Sequence, residues 1–241
     1  MPNSDNMSKI NLFCLPYAGG SAAIFAKWKK FLGPDIELIP VELSGHGERI
    51  GERLYIDLED AVDDVFRIVK RRMNEGPYAL FGHSLGGTIA YSLAQKIRET
   101  GSRRPVHIFF SGKSVPHVRE DSRHQFHLLN NDNFKKEVIG LGGTPPELFE
   151  YPELMEIYIP MLRNDFRLAD SDLREEVIRP LEENITVFLG KEDIFTMDRC
   201  DEWQQHTQQG CCIHYFDGGH FFLEEKTAQI VSLINETLLQ S

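Results

Sequence analysis

The sequence predicts an α/β fold: a mostly parallel central sheet with helices on both faces, and a helical cap inserted after the strand at 106–111. Three observations carry that expectation. Short apolar runs recur with helix-like stretches between them, the alternation that builds parallel sheets. One run ends in Gly82-His83-Ser84-Leu85-Gly86-Gly87 and passes at once into a helix-like pattern. One long section of the chain lacks any strand pattern.

The strand candidates are Ile10–Leu15, Ile36–Val41, Ala79–Phe81, Val106–Ser111, Ile185–Gly190 and Ile213–Phe216. They are short, apolar and rich in β-branched or aromatic residues, as strands buried on both faces are. Helical stretches follow most of them at Ser21–Leu32, Leu58–Met73, Leu85–Glu99, Asp198–His206 and Phe221–Leu239. Between Lys113 and Asn184 only helix-like pieces occur, punctuated by Gly140, Gly142-Gly143, Pro145-Pro146, Pro152, Pro160 and Pro180. That interval is too long for a loop. It reads as a cap over residues 114–183 within a single domain of residues 1–241. Its many apolar side chains, among them Phe126, Leu128, Phe134, Leu154, Ile157, Leu162 and Phe166, can pack the cap or line a pocket beneath it. Sequence does not sort the two roles.

A chain of 241 residues can bury one large core. Its formal charge of −11, from 37 acidic and 26 basic residues, argues against nucleic acid and anionic membrane surfaces as partners. No segment approaches the ~20 apolar residues of a membrane helix, and Met1 to Ser8 is polar with no signal-like run. A cytoplasmic location is expected. Cys14, Cys200, Cys211 and Cys212 show no metal or disulfide spacing, so buried or half-buried thiols are expected.

Gly-x-Ser-x-Gly between a buried strand and a helix is the setting of a nucleophile elbow. The glycines lie two residues either side of Ser84 because helix and strand backbones pass too close there for side chains. A serine hydroxyl needs a base, and the base needs an orienting acid. In this architecture the acid and then the histidine follow the serine, on loops after later strands. Ile185–Gly190 runs into Lys191-Glu192-Asp193, and Ile213–Phe216 runs into Asp217-Gly218-Gly219-His220. The candidate catalytic set is therefore Ser84, Asp193 and His220. Glu192 and Asp217 are alternatives for the acid.

Other histidines fit less well. His83 adjoins the serine and is read as shaping the turn, and His46 precedes the serine. His124 and His127 could suggest a metal pair, but no third ligand completes a set, so a solvated helix face is expected. An oxyanion requires two N–H donors. Leu85 supplies one by construction; Ala18, in the loop Pro16-Tyr17-Ala18-Gly19-Gly20-Ser21, is chosen for the other, with Tyr17 as fallback. This chemistry needs no metal or organic cofactor.

Leu15-Pro16-Tyr17-Ala18-Gly19-Gly20-Ser21, Ser44-Gly45-His46-Gly47-Glu48-Arg49 and Phe81-Gly82-His83-Ser84-Leu85-Gly86-Gly87 together resemble the type II thioesterases. So do Leu141-Gly142-Gly143-Thr144-Pro145, Pro160-Met161-Leu162-Arg163-Asn164-Asp165-Phe166 and Asp217-Gly218-Gly219-His220-Phe221-Phe222. These are stand-alone α/β-hydrolases of non-ribosomal peptide and polyketide synthetase systems. The resemblance implies hydrolysis of acyl or aminoacyl thioesters on the phosphopantetheine arm of carrier domains, clearing stalled or misprimed groups. It implies a carrier domain as partner; separately, a monomer is expected. Ser44 departs from the family, which usually has proline there. Asp165 lies in a family-like cap motif and is assigned no catalytic role; an inward cap salt bridge, with Arg163 or Arg167 as candidate partners, is an equally good reading. A general carboxylesterase or acyl-CoA thioesterase would share every catalytic feature, and a non-catalytic binding module would not require them.

Overall fold

The computed structural model describes residues 9–116, 125–144, 151–171, 178–196 and 200–239. Six strands form one sheet: β1 (Ile10–Leu15), β2 (Ile36–Pro40), β3 (Tyr78–His83), β4 (His107–Ser111), β5 (Ile185–Gly190) and β6 (Cys211–Phe216). Their spatial order is β2-β1-β3-β4-β5-β6, and every neighbouring pair is parallel. The expected "mostly parallel" sheet is wholly parallel among the described residues.

Strand periodicity divides the core in two. In β1, Phe13 and Leu15 face one side and Leu12 and Cys14 the other; in β3, Tyr78 and Leu80 oppose Ala79 and Phe81. Both sets are fully buried, which is why these strands read as unbroken apolar runs. Helices α1 (Leu58–Lys70) and α2 (Leu85–Glu99) cover the first face. Helix α1 places Ala61, Val62, Val65, Phe66 and Val69 on one stripe, and Asp57 caps it by accepting from the Asp60 N–H at 2.8 Å.

The opposite face is covered by residues 22–30 and the C-terminal helix. The expected helix at Ser21–Leu32 is a 3₁₀ helix over Ala22–Lys30. Three residues per turn brings positions i and i+3 onto one line. Phe25 and Trp28 thereby meet edge to face, ring centroids 5.1 Å apart, and both pack on Phe81.

Between β4 and β5 the described residues contain no ladder strand, only a 3₁₀ turn at Phe126–Leu128, α3 (Asn131–Leu141) and α4 (Pro152–Ala169). The segment at Asp198–His206 is 3₁₀ over Cys200–His206, its first two residues lying outside the described residues. The final stretch is two helices, α5 (Phe222–Glu225) and α6 (Thr227–Leu239). They part where the Thr227 hydroxyl donates back to the Leu223 and Glu224 carbonyls. Cys14 is buried and Cys200 and Cys211 are half-buried as expected, but Cys212 is exposed on the edge strand; all four are free.

The sheet reverses its winding between β1 and β3, so the loops at their carboxyl ends part and leave a crevice. Helix α2 must pass very close to that crevice. A methyl at Gly86 would lie 2.2 Å from the Leu15 carbonyl oxygen and one at Gly82 would lie 2.1 Å from that of Gly86. Gly140, inside α3, has open space where its Cβ would go. Gly86→Ala is expected to destabilise by about 3 kcal/mol or more, whereas Gly140→Ala should stabilise by roughly 0.5–1 kcal/mol. Urea unfolding of the two variants checks both signs.

Candidate active site

The tight crossing puts Ser84 in a sharp turn. Its φ of +53° and ψ of −115° lie outside the conformations a serine ordinarily adopts, and it is the one non-glycine residue of positive φ among the described residues. Strain of this kind costs on the order of 1–3 kcal/mol and persists where surroundings over-determine it. Here the Ser84 N–H donates to the Ser111 carbonyl at 2.8 Å, and its carbonyl accepts from the Gly87 and Thr88 N–H groups. The hydroxyl takes no part in capping α2. It faces a cleft shared with His220, Ala18, Tyr17, Phe126, Leu141, Phe166, Phe195 and Phe221.

His220 and Asp193 arrive from the loops after β6 and β5. The His220 Nδ1–H donates to Asp193 Oδ2 at 2.8 Å. Asp193 is wholly buried, and its other oxygen accepts from the Phe195 N–H at 2.9 Å. Burial alone would raise its pKa, but His220 and the Phe195 N–H hold the carboxyl below its ordinary value. The bond at Nδ1 leaves Nε2 of His220 as the nitrogen able to take a proton. Phe195 and Phe221 wall the ring edge to face, with centroids 5.0 and 5.2 Å away. Of the alternative acids, Glu192 is exposed, and exposed Asp217 pairs with Lys191 at 2.6 Å.

The N–H groups of Ala18 and Leu85 meet no acceptor among the described residues, and both residues border Ser84, Ala18 across the cleft and Leu85 in sequence. His83 lies behind the elbow, fully buried, its Nδ1 within 2.8 Å of the Ser111 hydroxyl. Burial, with His220 adding repulsion 5.2 Å away, pushes its pKa down to about 3. A neutral ring there places no competing positive charge beside His220.

Three expectations need correction. His127 is not on a solvated face: its ring is half-buried, with Nδ1 2.7 Å from Asp170 Oδ2; His124 lies outside the described residues. Asp165 pairs with neither Arg163 nor Arg167. Arg163 reaches the His127 carbonyl and Asn131, and Arg167 reaches the Tyr55 and Ile56 carbonyls. Asp165 instead binds His46 and the Gly19 N–H, each at 2.7 Å. His46, set aside for its place before the serine, is thus a buried partner of the cap. The signal was an acidic residue at a helix position that faces inward, which i, i+3, i+4 spacing from Leu162 and Met161 shows.

The cap's apolar residues also separate. Phe126, Phe134, Val138, Met155, Ile159 and Leu162 form its own core, while Leu128, Leu154 and Ile157 are exposed. Phe126, Leu141 and Phe166 line the cleft.

A parallel sheet with a strained serine elbow after β3, a buried acid after β5 and a histidine after β6 defines an α/β-hydrolase. The thioesterase domain family matches residues 10–238, and the chain belongs to that family. The chain is 33% identical over 237 residues to the gramicidin S biosynthesis protein GrsT of Aneurinibacillus migulanus, covering 98% of this chain and 91% of the relative. It is 32% identical to the medium-chain S-acyl fatty acid synthase thioesterase of Rattus norvegicus, over 88% of this chain and 81% of the relative. The crystal structure of ClbQ from the colibactin NRPS/PKS pathway superposes with a TM-score of 0.89 at 36% identity, covering 97% of this chain and 98% of ClbQ. The resemblance to type II thioesterases is thereby borne out, and the protein is a thioester-hydrolysing enzyme.

The buried histidines set an acid limit to stability. His107, against the Thr186 hydroxyl at 2.8 Å, is pushed down to about 4 by burial, and His83 to about 3. Unfolded, both titrate near 6.5. Between these limits the unfolded chain binds more protons, so stability falls as pH falls, by roughly 1.4 kcal/mol per pH unit for each histidine. His46 has a raised pKa; its own burial opposes the rise, and the Asp165 bond outweighs it. Its contribution is complete below about 6.5 and is lost only as pH rises through the raised value. Urea unfolding should weaken steadily from pH 6.5 to 4.5, and His107→Asn should flatten the slope. A pH-independent midpoint contradicts this reading.

Proposed function

We propose that the enzyme hydrolyses acyl or aminoacyl thioesters presented on the phosphopantetheine arm of carrier domains in a peptide or polyketide synthetase, releasing stalled or misprimed groups. The observation that carries the chemistry is the elbow serine at +53°, sharing one cleft with a histidine whose Nδ1 is held by a buried aspartate. Ser84 attacks the thioester carbonyl while His220 Nε2 takes its proton. The oxyanion rests on the Ala18 and Leu85 N–H groups, and the thiol leaves with the proton from His220. Water, deprotonated by the same nitrogen, then cleaves the acyl-enzyme and frees Ser84. Asp193 keeps the imidazole in the tautomer this requires and stabilises the imidazolium. The enzyme is read as a cytoplasmic monomer, with Phe126, Leu141 and Phe166 between β4 and β5 walling the cleft.

The substrate class is supported by the relative in gramicidin S biosynthesis and by the likeness to ClbQ. A second reading, a fatty acyl carrier as substrate, is supported by the medium-chain fatty acid synthase relative and by the aromatic cleft walls.

Acetyl and aminoacyl groups on a phosphopantetheinylated carrier domain, compared with the same groups on a small thiol, test the proposal. A clearly higher kcat/KM on the carrier is expected. Equal or better turnover of the small thioester would identify a general thioesterase. Ser84→Ala and His220→Ala should each lower kcat by roughly 10⁶-fold, and Asp193→Asn by about 10⁴-fold. Phe166→Ala should lower kcat/KM for octanoyl thioesters more than for acetyl thioesters; equal losses would remove Phe166 from chain-length selection.

A further inference from the structure

Asp165 is an acid buried to 1% exposure in the cap, 146 residues from the loop it contacts. Both these contacts converge on Oδ2. The Gly19 N–H donates to it at 2.7 Å, and His46 Nε2 lies 2.7 Å away. His46 Nδ1 lies 3.1 Å from the Ser44 carbonyl, which can only accept, so that nitrogen carries a hydrogen. Nε2 faces a carboxylate oxygen and must donate as well. The pair is therefore an imidazolium and a carboxylate held out of water, with the Gly19 N–H as a further donor.

Gly19 occupies a particular place. The Gly20 N–H closes a turn onto the Tyr17 carbonyl at 2.9 Å, and Gly19 alone within that turn has positive φ, +77°. This is a type II turn with Ala18 and Gly19 at its centre. The peptide between them is the one that flips when a type II turn becomes type I, and its N–H is the group Asp165 holds. Helix α4 packs on the same point. A Cβ at Gly19 would lie 2.7 Å from Leu162 Cδ1 and 2.8 Å from the Tyr158 hydroxyl, so Tyr158, Leu162 and Asp165 form one face of α4 against the turn.

We propose that Asp165 is a positioning residue for the oxyanion hole: by holding the Gly19 N–H, and being itself held by His46, it anchors the peptide that follows Ala18 and so keeps Ala18, whose own N–H lies on the adjoining Tyr17–Ala18 peptide, in place beside the cleft. The cap then assembles the catalytic site as well as roofing it, because the helix that lines the cleft with Phe166 also carries Asp165 on its adjacent position. This rests on the reading of Ser84 as nucleophile and Ala18 as oxyanion donor.

The test uses the full chain and the acetyl thioester of N-acetylcysteamine, with wild type, Ser84→Ala, Asp165→Ala and Asp165→Asn. Each is also titrated with a trifluoromethyl ketone, which a serine nucleophile takes up as a tetrahedral oxyanion, and melted to confirm folding. Loss of one oxyanion donor costs about 10²–10³ in kcat, and a misaimed donor should cost less. Asp165→Ala should lose about 10–100-fold in kcat with KM within about threefold, and affinity for the ketone should fall by the same factor. Asp165→Asn, whose amide oxygen can still accept from Gly19, should lose only about 3–10-fold in both. Should Asp165→Ala fail to fold, the asparagine variant alone decides. Wild-type kcat in a folded Asp165 variant, or a fall in kcat with ketone affinity unchanged, overturns the proposal while an inactive Ser84→Ala leaves the nucleophile intact. An active Ser84→Ala overturns both.

Discussion

The close crossing of α2 over the carboxyl ends of β1 and β3 is the constraint on which the rest of the site depends. With methyl positions 2.1 and 2.2 Å from backbone oxygens at Gly82 and Gly86, no side chain fits there. Only glycine lets the helix begin immediately after β3, and only an abrupt turn joins the two. Ser84 is the residue caught in that turn. Ser84 lines the cleft at the sheet's winding reversal, and the adjoining Leu85 N–H meets no acceptor among the described residues. Sheet topology, glycine placement and backbone strain thus converge on one oxygen atom.

Around that atom the charges are arranged by burial. Asp193 stays ionised though fully buried because His220 and a backbone N–H compensate it. His83 stays neutral for the opposite reason: its burial, with a second imidazole alongside, outweighs the attraction of Asp193. Of the two histidines, 5.2 Å apart, only His220 is held by the buried carboxylate. The second buried pair, Asp165 with His46, sits on the other side of the Tyr17–Gly20 turn and joins the cap to the sheet.

Much of this was legible in the chain because it is written in local pattern. Runs such as Leu12-Phe13-Cys14-Leu15 and Ala79-Leu80-Phe81 are apolar on both faces, and strands with that property belong inside a parallel sheet. Glycine spacing around Ser84 and the strand-end positions of Asp193 and His220 are likewise local signals. What escaped was set by contacts distant in sequence. The pairing of Asp165 spans 119 residues to His46, and nothing near Asp165 distinguishes that partner from the nearby Arg163 or Arg167. His127 found Asp170 across the cap in the same way. The choice of 3₁₀ over α geometry at Ala22–Lys30 depends on Phe25 and Trp28 meeting Phe81, a tertiary contact that helical periodicity alone does not contain. The break at Lys226 was masked by an apolar pattern continuous through Phe222, Leu223 and Ile230.

The claim at the centre of this account is that the strained elbow, served by His220, makes Ser84 the reactive oxygen of the chain. Fluorophosphonate labelling followed by peptide mass mapping tests it most directly. The account predicts a single modified residue, Ser84, in wild type and labelling slowed by several orders of magnitude in His220→Ala. Modification at Ser111, Ser114 or another hydroxyl instead, or labelling of His220→Ala at the wild-type rate, would contradict it.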